Sequence, residues 1–99
     1  MFVIADLCVV PLGVGVSVAS HVAKCEEVIA ASGLNYSLHA YGTNIEGDWD
    51  TVMQVIKQCH EAVHAMGAPR ITSTLKFGTR TDRHQTMADK VASVKTHQG

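Results

Sequence analysis

The chain has few of the residues that mark several common protein classes. Its three cysteines (Cys8, Cys25 and Cys59) are odd in number and lack Cys-x-x-Cys spacing, which argues against a disulfide framework and favours a reducing compartment. We expect them to be small apolar fillers. Aromatic residues form 5% of the chain, and the predicted central strands carry no run on which bases could stack. No glycine-rich phosphate loop is present, so we expect neither a nucleic-acid partner nor a cofactor.

The apolar N-terminal segment resembles a signal peptide in hydropathy but lacks its charge. No Lys or Arg precedes Lys24, while Asp6 and Pro11 interrupt the apolar run. Asp6 is also unfavourable in a membrane span. These features predict a cytoplasmic protein that does not enter a membrane.

The charges are distributed unevenly along the chain. The net charge is −1, but residues 1–69 carry −5 and residues 70–99 carry +4. The segment TRTDRH, residues 79–84, concentrates cationic side chains ahead of a predicted helix, a setting that attracts phosphates. The simpler interpretation is a loop fixed by Arg–Asp pairs or by ion pairing between subunits.

Hydrophobic periodicity and turn residues predict strands over 2–10, 35–41, 43–46 and 70–77. They predict helices capped by Ser17, Asp48 and Thr86, with Gly33 and Gly67 where the first two helices should end. The resulting order is β-α-β-β-α-β followed by a helix. This order is typical of an α+β ferredoxin-like fold, in which two helices cover one face of an antiparallel sheet. We expect one such domain over residues 1–99.

The first predicted strand is apolar on both of its sides. Phe2, Ile4, Cys8 and Val10 alternate with Val3, Ala5, Leu7 and Val9. Such a pattern is expected where both faces of a sheet are covered, yet the ferredoxin-like plan leaves one face bare. At about 25 cal/mol per Å² of apolar surface, a bare face is unfavourable. We therefore predict a homo-oligomer in which a partner subunit or the last helix covers it.

The segment His60-Glu61-Ala62-Val63-His64 has the H-E-x-x-H spacing of zinc peptidases. Helical periodicity places His60 near the buried side of its helix and Glu61 toward solvent. No residue stands at a spacing typical of a third zinc ligand. We interpret His60 as a partly buried histidine with a hydrogen-bond partner and predict no metal site. A small hydrolase with His60 and His64 as metal ligands and Glu61 as base is the alternative.

Two carboxylates lie in segments that are otherwise apolar or flexible. Asp6 must be hydrogen-bonded, paired or near an edge, because an unpaired buried charge is strongly unfavourable. It could face a ligand, or a backbone or Arg partner from a neighbouring subunit. Glu46 ends a predicted strand beside a glycine and Trp49.

Four segments together resemble the small YkoF-like thiamine-binding proteins. They are ADLCVVPLG, HAYGTNIEGDWDTVMQVI, HEAVHAMGAPRI and GTRTDRHQTMADKVASV, in matching order and spacing over residues 5–94. The resemblance implies a ferredoxin-like domain with an added C-terminal helix and assembly into dimers or tetramers through the sheets. It also implies binding of thiamine or its hydroxymethylpyrimidine moiety, without catalysis.

The chemistry of such a ligand selects candidate site residues. An aminopyrimidine needs an acceptor for its amine, a donor for its ring nitrogen and a flat apolar surface, whereas a thiazolium cation favours carboxylates or aromatic faces. Glu46 and Asn44 are our candidates for polar recognition, and Trp49 or Tyr41 for the apolar wall. The predicted ligand-binding set is completed by Asp6, Leu12 and Thr43.

Overall fold

The computed structural model describes every residue from Met1 to Gly99. Its strands are β1 (Phe2–Leu12), β2 (Asn35–His39), β3 (Gly42–Asp48) and β4 (Arg70–Gly78), and its helices are α1 (Ala19–Ala31), α2 (Trp49–Ala65) and α3 (Met87–Gln98). The four strands form one sheet in the order β2-β3-β1-β4, and all neighbouring pairs are antiparallel. The predicted α+β ferredoxin-like arrangement with an added helix is thus confirmed. None of the helices has the length and hydropathy needed to cross a membrane.

The hydrophobic core lies between one face of the sheet and helices α1 and α2. Odd-numbered residues of β1 alternate into it, and Val3, Ala5 and Leu7 are at most 3% exposed. The helices contribute a matching set of buried residues: Cys25, Ile29, Val52, Val55, Cys59 and Val63. Because side chains alternate along a strand, this arrangement turns the even-numbered residues of β1 to the opposite side.

We call that opposite side the open face. It is formed by the even-numbered residues of β1 and the residues that pair with them, including Phe2, Ile4, Asp6, Cys8 and Val10 of β1, Asn44 and Glu46 of β3, and Arg70, Thr72, Thr74 and Lys76 of β4. Helix α3 begins against this face, where the backbone N–H of Met87 donates to Glu46. It contributes no buried residue, and Val91 and Val94 are 54% and 60% exposed. Helix α3 therefore leaves its own apolar side uncovered.

Most of the predicted helix ends agree with the structure. Asp48 accepts from the backbone N–H of Asp50, and Thr86 forms a reciprocal capping box with Asp89. The predicted cap at Ser17 is wrong, because the first helical hydrogen bonds run to the carbonyl of Val18, whose side chain cannot cap. Strand β1 also continues beyond residue 10, where the sequence predicts its end, and passes through Pro11 to Leu12. Proline is tolerated there because β3 pairs with β1 only as far as Leu7, so that side of β1 needs no N–H donor.

Gly42, at the start of β3, is required by a close approach of backbone atoms. A Cβ built at Gly42 would lie 2.5 Å from the carbonyl oxygen of Leu7 and 3.5 Å from Oδ1 of Asp6. We expect Gly42→Ala to lower the free energy of unfolding by about 1–3 kcal/mol, because the backbone of β1 must move. Urea denaturation measures the loss. Gly78→Ala is the control, since a Cβ at Gly78 meets nothing within 4 Å, and an equal loss in both variants would contradict the steric explanation.

Candidate functional site

A cavity of about 860 Å³ lies between the open face and the loop that follows β4. Phe2, Ile4, Asp6 and Asn44 line it from the sheet. Residues of β4, the following loop and α3 complete it, among them Lys76, Arg83, His84 and Lys90. The antiparallel register brings the sheet residues together, because Asp6 pairs with Asn44 of β3 on one side and Lys76 of β4 on the other.

The Asp6 carboxylate is the central polar group of this cavity. Its Oδ1 atom lies 2.6 Å from Nε2 of His39 and 3.5 Å from Nδ2 of Asn44. The backbone N–H of Tyr41 donates to Nδ1 of His39 at 3.2 Å, so Nε2 carries the hydrogen that is donated to Asp6. No group of the chain donates to Oδ2, and the Asp6 side chain is 44% exposed. His39 thus orients a carboxylate that keeps one oxygen available as an acceptor.

The apolar part of the cavity comes from both ends of the chain. The rings of Phe2 and His84 pack edge to face, with centroids 4.6 Å apart and an interplanar angle of 66°. Ile4 lies beside Asp6 on the same face of β1. These side chains offer the flat, partly aromatic surface on which a heterocycle can pack.

Glu46 lies on the open face but its carboxylate is used within the fold. Its side chain is 6% exposed, Oε1 accepts from Nδ2 of Asn35 at 2.7 Å, and Oε2 accepts from the backbone N–H of Met87 at 2.6 Å. The negative charge is also favourable at the N-terminus of α3. Glu46 therefore connects β2, β3 and α3 and fixes where α3 begins beside the cavity.

The other predicted site residues lie elsewhere. Leu12 is at the far end of β1, and Tyr41 is 88% exposed in the turn between β2 and β3. Thr43 is buried on the helix-covered side, where its hydroxyl donates to Glu26. Trp49 begins α2 and packs against Phe77, with ring centroids 5.2 Å apart. Of the seven predicted residues, only Asp6 and Asn44 line the cavity, with Glu46 on the same face.

Several residues of the candidate site are outside the predicted ligand-binding set, among them Phe2, His39, Lys76 and His84. Strand alternation alone places Phe2 on the same face as Asp6. Lys76 and His39 reach Asp6 through the pairing of the strands, and His84 reaches Phe2 through the path of the loop after β4, neither of which periodicity determines.

The two histidines of the H-E-x-x-H segment are engaged within the fold. Nε2 of His60 lies 2.7 Å from the hydroxyl of Ser73, which confirms the interpretation of His60 as a partly buried, hydrogen-bonded residue. Nδ1 of His64 donates to the carbonyl of Ala68 at 2.8 Å. No group of three or more His, Cys, Asp or Glu side chains is placed to hold a metal ion. The segment therefore lacks the third ligand of a zinc site.

Two of the cysteines belong to the core, as expected for apolar fillers. Cys25 and Cys59 are buried, and Cys8 is half-buried on the open face. Hydrogen bonding to the neighbouring Cys25 and burial both raise the pKa of the Cys59 thiol. A thiol in this setting stays protonated and is a poor nucleophile.

The loop after β4 contains the Arg–Asp pair that the sequence favours. The Arg80 guanidinium donates to both carboxylate oxygens of Asp82 and also to Gln85. The hydrogen bonds from Arg80 lower the pKa of the Asp82 carboxyl to about 2. The positive charge of Arg80 is thereby neutralised within the loop, whereas Arg83 makes no ion pair.

Comparison with known proteins agrees with the fold and identifies the family. The sequence model of the family described as "Thiamine-binding protein" matches residues 5–95. The chain belongs to the thiamine-binding protein family. A member from Synechocystis sp., named a UPF0045 protein, is 69% identical over 96 residues, covering 97% of this chain and 79% of that protein.

Solved structures resemble this thiamine-binding family member closely. The hypothetical protein MJ1052 of Methanocaldococcus jannaschii superposes with a TM-score of 0.88 at 33% identity, covering 95% of this chain and 96% of that one. A candidate thiamine biosynthesis or salvage protein of Thermotoga maritima superposes with a TM-score of 0.82 at 20% identity, covering 95% and 99%. At that identity the second likeness supports the fold alone.

Proposed function

We propose that this protein binds thiamine or a thiamine-related pyrimidine in the cavity beside Asp6 and does not catalyse a reaction. The observation that carries the proposal is the free Oδ2 of Asp6, held in place by His39 and adjacent to the Asn44 amide. The exocyclic amine of the pyrimidine donates to Oδ2, and Nδ2 of Asn44 donates to a ring nitrogen. The ring packs against Phe2 and His84.

The size and composition of the cavity support a small organic ligand. Ligand sites commonly occupy about 300–1,000 Å³ and combine apolar surface with a few oriented polar groups. The cavity of about 860 Å³ lies within that range, and Asp6 and Asn44 supply one acceptor and one donor next to Phe2 and Ile4. The family description names thiamine as the ligand of the relatives.

The proposal includes assembly of the protein into a dimer or tetramer in the cytoplasm, with a second copy covering the open face. Cys8 and Val10 are half-buried on that face, Leu12 is exposed beyond them, and the valines of α3 are exposed at its side. Burying this apolar surface would stabilise an oligomer at about 25 cal/mol per Å². A second copy would also close the open side of the cavity.

Titration of the purified protein with thiamine and with hydroxymethylpyrimidine tests the binding proposal. Trp49 is the single tryptophan and packs against Phe77, which lines the cavity, so its fluorescence should change on binding. Isothermal calorimetry should give saturable binding with one site per chain. Absence of heat and of a fluorescence change at millimolar ligand would contradict the proposal.

Sedimentation velocity tests the assembly, and we expect a species larger than one chain. Val94→Glu should shift it toward the monomer, because a charge would be buried at the interface. Ser93→Glu adds the same charge on the side of α3 that faces the 83–85 loop, and it should leave the assembly unchanged. A wild-type protein that sediments as a folded monomer would disprove the oligomer.

A further inference from the structure

We infer that the ligand of this cavity carries a phosphate ester, which binds to Lys76, Arg83 and Lys90. The inference rests on the proposed function and specifies its preferred ligand class: a pyrimidine with a phosphate group, bound more tightly than the free alcohol or free thiamine. The observation is an excess of unpaired cations around the cavity.

The three cations share the cavity with a single carboxylate. Lys76, Arg83 and Lys90 line it and have no ion-pair partner in the chain. Arg80 also lines it, but its charge is neutralised by Asp82. The remaining positive charge exceeds the single negative charge of Asp6.

One further acidic side chain near the cations, Asp89, is already hydrogen-bonded within the capping box of α3. The carboxylate of Asp89 accepts from the backbone N–H of Thr86 at 3.0 Å, as part of the capping box of α3. These bonds to Thr86, with a smaller effect of His84 and Arg83, lower the pKa of Asp89. Asp89 lies outside the cavity, in a groove on the other side of Arg83 and His84. It therefore leaves the cavity side of Arg83 free for an anion.

The arrangement of charges gives the cavity two chemically different ends. Asp6 and Asn44 form the end on β1 and β3, whereas Arg83 and Lys90 approach from the loop and α3. Lys76 is the register partner of Asp6 on β4, so it lies beside the first end without forming an ion pair there. A ligand that matches both ends has an amine-bearing heterocycle and an anionic group.

Free thiamine matches only the first end, because its thiazolium ring is a permanent cation and would be repelled by Arg83 and Lys90. A phosphate monoester carries about −1.5 to −2 charge at neutral pH and offers three acceptor oxygens. A guanidinium can bind it through two parallel hydrogen bonds, and lysines bind it as point charges.

Calorimetry with matched pairs of ligands tests the inference. We expect hydroxymethylpyrimidine phosphate to bind about 10-fold to 100-fold more tightly than hydroxymethylpyrimidine, because hydrogen bonds between charged groups typically increase affinity by that factor. Thiamine monophosphate should likewise bind more tightly than thiamine. The advantage of the esters should shrink as salt rises from about 0.01 to 1 M, because exposed charges are screened over a shorter distance.

Variants identify the cationic side chains that bind the phosphate group. Arg83→Ala and Lys90→Ala, alone and together, should lower the affinity for the esters by much more than the affinity for hydroxymethylpyrimidine, so that the advantage of the esters is lost. Arg70→Ala is the matched control, because Arg70 is exposed on the same face of β4 but does not line the cavity. Circular dichroism establishes that each variant is folded.

The outcomes separate this inference from the proposed function. Equal affinities for the ester and the alcohol would overturn the phosphate subsite and leave pyrimidine binding intact. If inorganic phosphate binds and Arg83→Ala abolishes that binding, but no pyrimidine binds, the anion site is supported and the proposed pyrimidine binding is contradicted. If Arg83→Ala changes only the sedimentation of the protein, the cations contact a neighbouring subunit and the inference is wrong.

Discussion

Asp6→Asn should weaken the binding of thiamine and of hydroxymethylpyrimidine by about 10-fold to 100-fold. The substitution preserves size and leaves one oxygen to accept from His39, whose Nε2 lies 2.6 Å from Oδ1 in the wild type. The position of Oδ2 then becomes an amide NH₂ group, which cannot accept from the ligand's amine. The ligand therefore loses a charge-assisted hydrogen bond and meets a second donor in its place.

Calorimetric titration measures the loss, and Asp50→Asn is the matched control. Asp50 is exposed in the first turn of α2, outside the cavity, and the same chemical change there should leave the affinity at the wild-type value. Thermal unfolding should be similar in the two variants, since Asp6 is half exposed. An Asp6→Asn protein that binds with unchanged affinity would place the ligand elsewhere in the molecule.

The fold could be predicted from the sequence because its main signals are local. Alternation along residues 2–10 and the apolar stripe of α2 each report which side of an element is buried. Asp48 and Thr86 mark helix starts through bonds to residues two and three positions on. The prediction of Ser17 as the cap is wrong because a capping residue type indicates only that a helix starts nearby. In the structure the helix begins after Val18.

The candidate site was predicted only in part because it is built across strands. Asp6 could be identified as a carboxylate within an apolar strand, and Asn44 through its chemistry. Lys76 lies opposite Asp6 only because of the β1–β4 register, which a shift of one residue would change. The sequence predicts Trp49 or Tyr41 as the apolar wall, whereas two rings that line the cavity, Phe2 and His84, are far apart in sequence and meet only in the fold.

A second large effect, a loss of stability, is expected on substitution of Glu46, whose buried carboxylate connects β2, β3 and α3. Glu46→Ala removes the acceptor of Asn35 and of the backbone N–H of Met87. Each bond to a charged group contributes about 1.5–3 kcal/mol, so a loss of roughly 3 kcal/mol or more in the free energy of unfolding is expected. The first turn of α3 should also detach from the sheet, because Met87 supplies its hydrogen bond to β3.

Urea denaturation measures the loss of stability in Glu46→Ala, and amide hydrogen exchange measures the detachment of the first turn of α3. Exchange should accelerate most at the start of α3, and the affinity for the pyrimidine should fall because His84, against which its ring packs, is no longer held beside the cavity. Glu46→Gln keeps one acceptor oxygen and should lose about half as much stability. Glu61→Ala removes an exposed carboxylate from α2 and should have little effect. If exchange at Met87 stays at the wild-type rate in Glu46→Ala, contacts other than Glu46 hold α3, and the cavity does not depend on this carboxylate.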